Sequence, residues 1–320
     1  MTPSQPLTPA AEPAAAPDLH ETPERTPAVP RAHEVEAFRA LARANATIDA
    51  LARPSAGQHP DGGLHGGADA TDRPVVDLEV VVPAYDEEHR LPATLAAAVE
   101  HLSALTARTG LSAAVVVVDN GSVDRTSDLA SAARGDVPVY LLGCRQRGKG
   151  SAVRRGFATS RARWVGFMDA DLATPMDTLD RVLPLLADGA PVVIASRNAG
   201  EADRVVKQSS LRRLGGSVFR LAARSILPDV ADSQCGFKFF DGRTVRAVLD
   251  DCTIDGFSFD VELLARLRWA GHPVVEVPVL WTDVPGSTFS PVRDGVRSFS
   301  DTVRIHRAAR RWPAPAGSPA

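Results

Sequence analysis

Cysteine is scarce: Cys144, Cys235 and Cys252 are all that 320 residues contain. An odd count without a CxxC pair excludes a disulfide framework and a thiolate zinc site. It fits three reduced thiols in an intracellular protein. Long apolar runs are missing too. The longest, 113–118, falls far short of the roughly 20 residues that cross a bilayer. The N-terminus lacks the charged start and apolar stretch of a secretory signal. There is no basic excess either. A net charge of −3 argues against a dedicated nucleic-acid binder. Together these absences predict a cytoplasmic chain, with any membrane contact peripheral at the inner face.

What is present is enough apolar material for a core, 44% against 23% charged, as in ordinary globular proteins. Residues 1–32 are rich in Pro, Ala, Thr and Glu, and read as a disordered tail. Val35, Phe38, Leu41, Ile48 and Leu51 recur at helical spacing, which predicts an amphipathic helix over 33–52. Residues 53–76 read as a linker, where His59 and His65 are loop histidines. A folded domain is expected over 77–311, in two halves, 77–197 and 198–311. Residues 312–320 form a second disordered tail.

Within the domain, short β-branched runs predict strands at 78–82, 114–118, 137–142, 164–168 and 191–195. Helical patterns fall between them, near 90–109, 124–134, 150–160 and 176–188. This alternation predicts an α/β fold with a mostly parallel sheet flanked by helices. Beyond Ser196 the rhythm changes. A helix is expected at about 209–227, a loop at 229–240, helices at 243–250 and 259–270, and a strand at 274–280. In such sheets ligands bind at the carboxyl ends of the strands.

Three strand ends are acidic: Pro83-Ala84-Tyr85-Asp86-Glu87-Glu88, Asp119-Asn120-Gly121-Ser122 and Asp169-Ala170-Asp171. Any one alone is read as helix capping or turn chemistry, as for Asp124 and Thr126. Three on one edge point to a functional crevice. Asp169 and Asp171, in a turn, can both face one cation. Hard oxygens suit Mg2+ or Mn2+, which commonly bind substrate phosphates as well. Asp119 is placed to accept hydrogen bonds from a base or ribose. Gly148-Lys149-Gly150 opens a helix, where backbone can approach an anion. It is not a P-loop, because Gly150 stands where the metal-binding hydroxyl belongs.

The segments VVPAYDEEHRLPATL, VVVVDNGSVDRT, GKGSAVRRGF and FMDADLATP resemble the donor-binding half of family 2 glycosyltransferases with the GT-A fold. DSQCGFKFF, FSFDVELL and VPVLWTDVPGSTFSPVRD are similar to the polyprenyl- or dolichyl-phosphate β-glucosyltransferase branch. The resemblance implies an inverting transfer of a hexose, glucose from UDP-glucose first, to a polyprenyl phosphate. It implies that Pro83, Tyr85, Glu87 and Asp119 contact the nucleoside. Gly121, Lys149 and Ala170 join the nucleotide-sugar site, and Asp169 and Asp171 hold the metal and diphosphate. Arg197 with Arg212 or Arg213 meets the acceptor phosphate, while Gln234 to Lys238 and Asp260 line the sugar and acceptor side. Two departures stand out. Ala173 replaces a glutamine frequent in related mannosyltransferases, and no stretch reads as the N-terminal anchor of the eukaryotic glucosyl enzymes.

A lipid phosphate is already anionic, so it needs positioning more than deprotonation, and arginine forks suit it. A hydroxyl acceptor would need a base, for which Asp232 and Asp260 are candidates. Asp260 also sits near a helix start, where a carboxylate is favourable in any case. Arg204, Lys207, Arg212, Arg213, Arg220 and Arg224 interleave with Leu211, Leu214, Val218, Leu221 and Ile226. The segment 292–311 repeats that pattern, and basic amphipathic helices read as membrane-surface elements or as core-packed helices with solvated basic faces. The rival readings are a transferase of the same fold with a soluble metabolite acceptor, a nucleotide-sugar-binding module without turnover, and a nucleotidyltransferase. The acid pair opposes the module. PAYDEE, where a Gly-rich loop should follow the first strand, opposes the nucleotidyltransferase.

Overall fold

The computed structural model describes residues 73–198, 223–281 and 291–309, without the side chains of 291–299. The helix expected at 33–52, the linker, both tails, Arg212, Arg213 and most of the helix expected at 209–227 lie outside the described residues.

Seven strands form one sheet: β1 Leu78–Ala84, β2 Ala113–Asp119, β3 Val139–Gly143, β4 Trp164–Met168, β5 Val192–Ser196, β6 Phe237–Asp241 and β7 Val274–Pro278. Their order is β3-β2-β1-β4-β6-β5-β7. All run parallel except β6, which lies antiparallel between β4 and β5. The helices are α1 Leu91–Thr109, α2 Thr126–Ala132, α3 Lys149–Thr159, α4 Leu179–Ala187, α5 Gly242–Leu249, α6 Phe259–Trp269 and α7 Pro291–Ala309.

The period-two alternation of a strand splits the core into two layers. Val80, Val82, Val115, Val117, Trp164 and Met168 face one layer, with Leu91, Leu95, Leu102, Leu179 and Val182. Val81, Val116, Val118, Val165 and Phe167 face the other, with Val153, Phe157, Val245, Phe259 and Leu263. Because both faces are covered, the strands read as continuous apolar runs. α1 starts with a proline in its first turn and ends at Gly110, whose φ of 76° is left-handed and whose N–H donates to Thr106. That is how a helix commonly begins and stops.

One expectation is corrected. The stretch expected as a loop over 229–240 contains β6, which sits in the middle of the sheet. Lys238 hid it, because a lysine at a core position breaks the apolar pattern. Here Lys238 is fully buried, pairing in register with Phe167 and facing α6.

Candidate active site

The crevice is built from strand ends that register places side by side. Ala84 is opposite Asp119 in the β1–β2 pair, and β4 delivers Asp169 one residue past its end. The β1 and β2 loops are stitched together. Ser122 Oγ accepts from the Asp86 N–H, Thr126 Oγ1 from Glu87, and Asp124 from Glu88. Asp86 itself sits at a φ of 52°, and its carboxylate accepts the Val123 N–H. Asp124 also accepts from the Thr126 N–H at 3.0 Å, so the capping chemistry and the stitching coexist. Asp119 is held from both sides, by the Ser122 N–H and hydroxyl on one oxygen and the Ser127 hydroxyl on the other. A carboxylate has about four lone-pair sites, so Asp119 keeps capacity for a ligand donor. Tyr85 is half-buried, its ring centroid 5.6 Å from the Arg147 guanidinium. Pro83, half-buried, ends this wall in register with Val118.

Asp169 and Asp171 follow β4. Thr94, buried on α1, donates to the Ala170 carbonyl at 2.7 Å, and Leu172 adopts a φ of 55°. These fix the turn. The Asp171 carboxylate accepts the Ala173 N–H. Glu87 lies in the same crevice, gripped by Arg90 through two bonds of 2.6 Å. Burial pushes the Glu87 carboxyl up despite Arg90, and Asp171 and Asp169 add to the rise. Burial likewise raises Asp171, with Asp169 contributing. Glu87 and Asp171 are thus poorly solvated carboxylates in one crevice, and such a place favours an added cation.

Lys149, the first residue of α3, donates to Asp169 at 2.7 Å and lies 3.8 Å from Asp260. Burial alone would lower its ammonium, but Asp169 and Asp260 outweigh burial and hold it above the ordinary range. Lys238 lies 3.7 Å from the same Asp260 oxygen. Its ammonium also donates to the Cys235 carbonyl. Both ammonium groups sit about as far from the Phe167 ring, at 5.1 and 5.3 Å. The other Asp260 oxygen, Oδ1, is buried and has no hydrogen-bond partner among the described residues. The N-terminus of α3 is capped from within the chain. Gly150 and Ser151 N–H groups donate to the Asp255 carbonyl at 2.7 and 3.2 Å. Gly148, at a φ of 125°, passes so close to that carbonyl that a Cβ would stand 2.1 Å from it. These glycines admit a neighbouring loop; the anion-cradling reading of the backbone does not hold for Gly150.

On the acceptor side, Arg197 follows β5. Its Nε and Nη2 donate to Asp232 at 2.7 and 2.9 Å, and its backbone N–H adds a third bond of 2.9 Å. The guanidinium lies 5.2 Å from the Trp281 ring. Burial would lower Arg197, but the Asp232 bonds outweigh it and hold the guanidinium firmly charged, with Asp169 adding to the effect. Burial would raise Asp232, and the Arg197 bonds overcome it and hold the carboxyl below its usual range. Gln234 is half-buried, its N–H 3.3 Å from Asp232.

Among the described residues no group of three or more His, Cys, Asp or Glu is arranged as a metal cage. The acid pair nevertheless fits Mg2+ or Mn2+, which are commonly held by one or two carboxylates plus substrate phosphates.

The sequence model described as Glycosyl transferase family 2 matches residues 79–248. The chain belongs to this family. Three relatives are dolichyl-phosphate beta-glucosyltransferases. That of Drosophila melanogaster is 36% identical over 73% of this chain and 76% of its own. That of Dictyostelium discoideum is 33% identical over 71% and 73%, and that of Homo sapiens 32% over 75% and 79%. Among solved structures, glucosyl-3-phosphoglycerate synthase from Mycobacterium tuberculosis in complex with UDP superposes with a TM-score of 0.54 at 16% identity, covering 74% of this chain and 81% of that one. That likeness bears on the fold, and the GT-A expectation stands.

For a member of family 2, the structure gathers most residues singled out in the sequence. Pro83, Tyr85, Glu87, Asp119 and Gly121 line one wall, Lys149, Asp169, Ala170, Asp171, Lys238 and Asp260 the centre, and Arg197, Asp232 and Gln234 the far side. Sequence reasoning missed Arg90, Glu276 and Trp281, and took in Gly236 only as part of the stretch 234–238. A Cβ on Gly236 would stand 1.8 Å from Asp169 Oδ2. The signal available for Gly236 was its place in DSQCGFKFF; nothing local marked Glu276.

Proposed function

We propose that this chain transfers glucose from UDP-glucose to a polyprenyl phosphate, with inversion at the anomeric carbon. The observation that supports the reading is the acid pair Asp169–Asp171 beside the 232–236 loop, whose Gly236 carbonyl accepts the Asp169 N–H and whose Asp232 fixes Arg197. The three relatives above, covered over most of their length, bear the corresponding name.

In this reading Pro83, Tyr85, Glu87 and Asp119 take the nucleoside, while Gly121 and Ala170 let the backbone lie close to it. Asp169 and Asp171 would hold Mg2+ or Mn2+. That ion, when bound, neutralises charge building on the departing UDP. Lys149 stands beside Asp169 as a fixed positive charge for the same leaving group. Asp260, beside both Lys149 and Lys238, holds the Lys149 ammonium in place on the sugar side of the crevice. The guanidinium edge of Arg197 not spent on Asp232 meets the acceptor phosphate, beside Gln234. A phosphate oxygen then attacks the anomeric carbon from the face opposite UDP, and the bond from that carbon to the β-phosphate oxygen breaks. No proton needs removal, since the acceptor is already ionised. Asp232, spent on Arg197, acts as an orienting group here rather than a base.

Peripheral membrane contact belongs to the same proposal. On α7, Ile305 is buried, while Val303, Arg304 and Arg307 are exposed. Such a face suits an anionic surface. No helix of the described residues is long and apolar enough to cross a membrane. The test is transfer of labelled glucose from UDP-glucose with Mn2+ into a solvent-extractable product. Label in the organic phase only with a polyprenyl phosphate supports the reading. Label that stays in water-soluble glucosides sinks it.

A further inference from the structure

The Arg197–Asp232 pair is itself held by a third residue outside every motif. Glu276 lies on β7, where parallel register fixes it opposite Ile194 of β5. Its carboxylate accepts two consecutive N–H groups, from Ala231 at 2.7 Å and from Asp232 at 3.0 Å. Asp232 in turn fixes Arg197 through three bonds. The chain leaving β7 reaches Trp281, whose ring lies over the guanidinium at 5.2 Å. One strand and its exit thus anchor both the carboxylate that orients Arg197 and the ring against its face.

We propose that Glu276 is a positioning residue for acceptor binding. It locks the loop that carries Asp232 and so aims Arg197 at the acceptor phosphate. This rests on the reading of Arg197 given above. The physical argument is donor count. Two adjacent N–H groups converge on one carboxylate, and an anion is the acceptor that satisfies both strongly. A glutamine there turns an NH2 group toward one of them, leaving a part-buried donor unpaired. The loop then relaxes, and Asp232 no longer presents both oxygens to Arg197.

The experiment compares wild type, Glu276→Gln and Arg197→Ala in steady-state transfer from UDP-glucose with Mn2+ to a short polyprenyl phosphate. Glu276→Gln is expected to raise the acceptor KM about tenfold, with kcat and donor KM within about twofold. A merely structural role would instead lower all parameters together. Protection of the Arg197 Nε–H against solvent exchange, read by NMR, should be lost in Glu276→Gln. If Arg197→Ala raises the acceptor KM and Glu276→Gln does not, the positioning role is overturned and the acceptor site stands. If lipid phosphate fails to stimulate transfer, the acceptor reading falls, and the Nε–H signal still decides. Retained protection in Glu276→Gln overturns the relay, and lost protection sustains it. Should Glu276→Gln fail to fold, Glu276→Asp, which keeps the charge but shortens the reach to both N–H groups, carries the same kinetic expectation, and an unchanged acceptor KM there overturns the positioning role.

Discussion

Gly236→Ala adds one methyl group against Asp169 of the acid pair. Its carbon would stand 1.8 Å from Asp169 Oδ2 and 2.2 Å from Cγ, so the carboxylate must move by more than about 1 Å to escape. It is not free to do so cheaply. Its other oxygen is bonded to Lys149 at 2.7 Å, and the Asp169 N–H donates to the Gly236 carbonyl at 2.9 Å. Overpacking of this kind costs about 1–3 kcal/mol, or a melting point lower by about 2–4 °C per kcal/mol for a domain this size. The catalytic loss should be larger. A 1 Å misplacement at a reacting site costs about 100-fold, equal to about 2.7 kcal/mol of barrier. The assay is kcat/KM for UDP-glucose with Mn2+, beside a thermal melt. A folded variant within about threefold of wild-type activity would refute the claim that Asp169 must stay where Gly236 allows it.

Other expectations follow from the same geometry. Asp171→Ala should abolish transfer with little change in melting temperature, since among the described residues its side chain accepts one hydrogen bond, from the Ala173 N–H; near-normal turnover would remove Asp171 from the metal site. Asp232→Asn should destabilise the fold by about 2 kcal/mol near neutral pH. The native Asp232 carboxyl is depressed by Arg197, so its contribution is present above the ordinary carboxylate value and fades as pH falls through the native one. Melting curves of wild type and Asp232→Asn should therefore converge below about pH 4; a gap that persists or widens in acid would count against the pairing. Cys252 is buried and its thiol, chiefly through that burial, is pushed up to about 12. Cys235 is buried as well. Neither should react with iodoacetamide at pH 8 in the native state, and prompt alkylation by mass spectrometry would contradict the burial.

The sheet was readable because strands covered on both faces write themselves as unbroken β-branched runs, as in Ala113–Val118. The crevice was readable because acidic residues sat at the ends of those runs. β6 was not, since Lys238 interrupts the phenylalanines, and the carboxylate that lets a charged lysine be buried there, Asp260, is distant in sequence. The Arg197–Asp232 pair joins residues 35 positions apart, and Glu276 reaches that loop from 44 positions away. No local pattern announces such partners. Gly148 and Gly150 were legible as glycines needed for a close approach, but what approaches them is Asp255 of the same chain.

Sugar transfer to a lipid phosphate at Asp169–Asp171 is tested by UDP release from UDP-glucose, with Mn2+ or with EDTA, with and without a short polyprenyl phosphate. Release should need the metal, rise sharply with the lipid phosphate and disappear in Asp171→Ala. Release that ignores the lipid, or survives both EDTA and loss of Asp171, would contradict it.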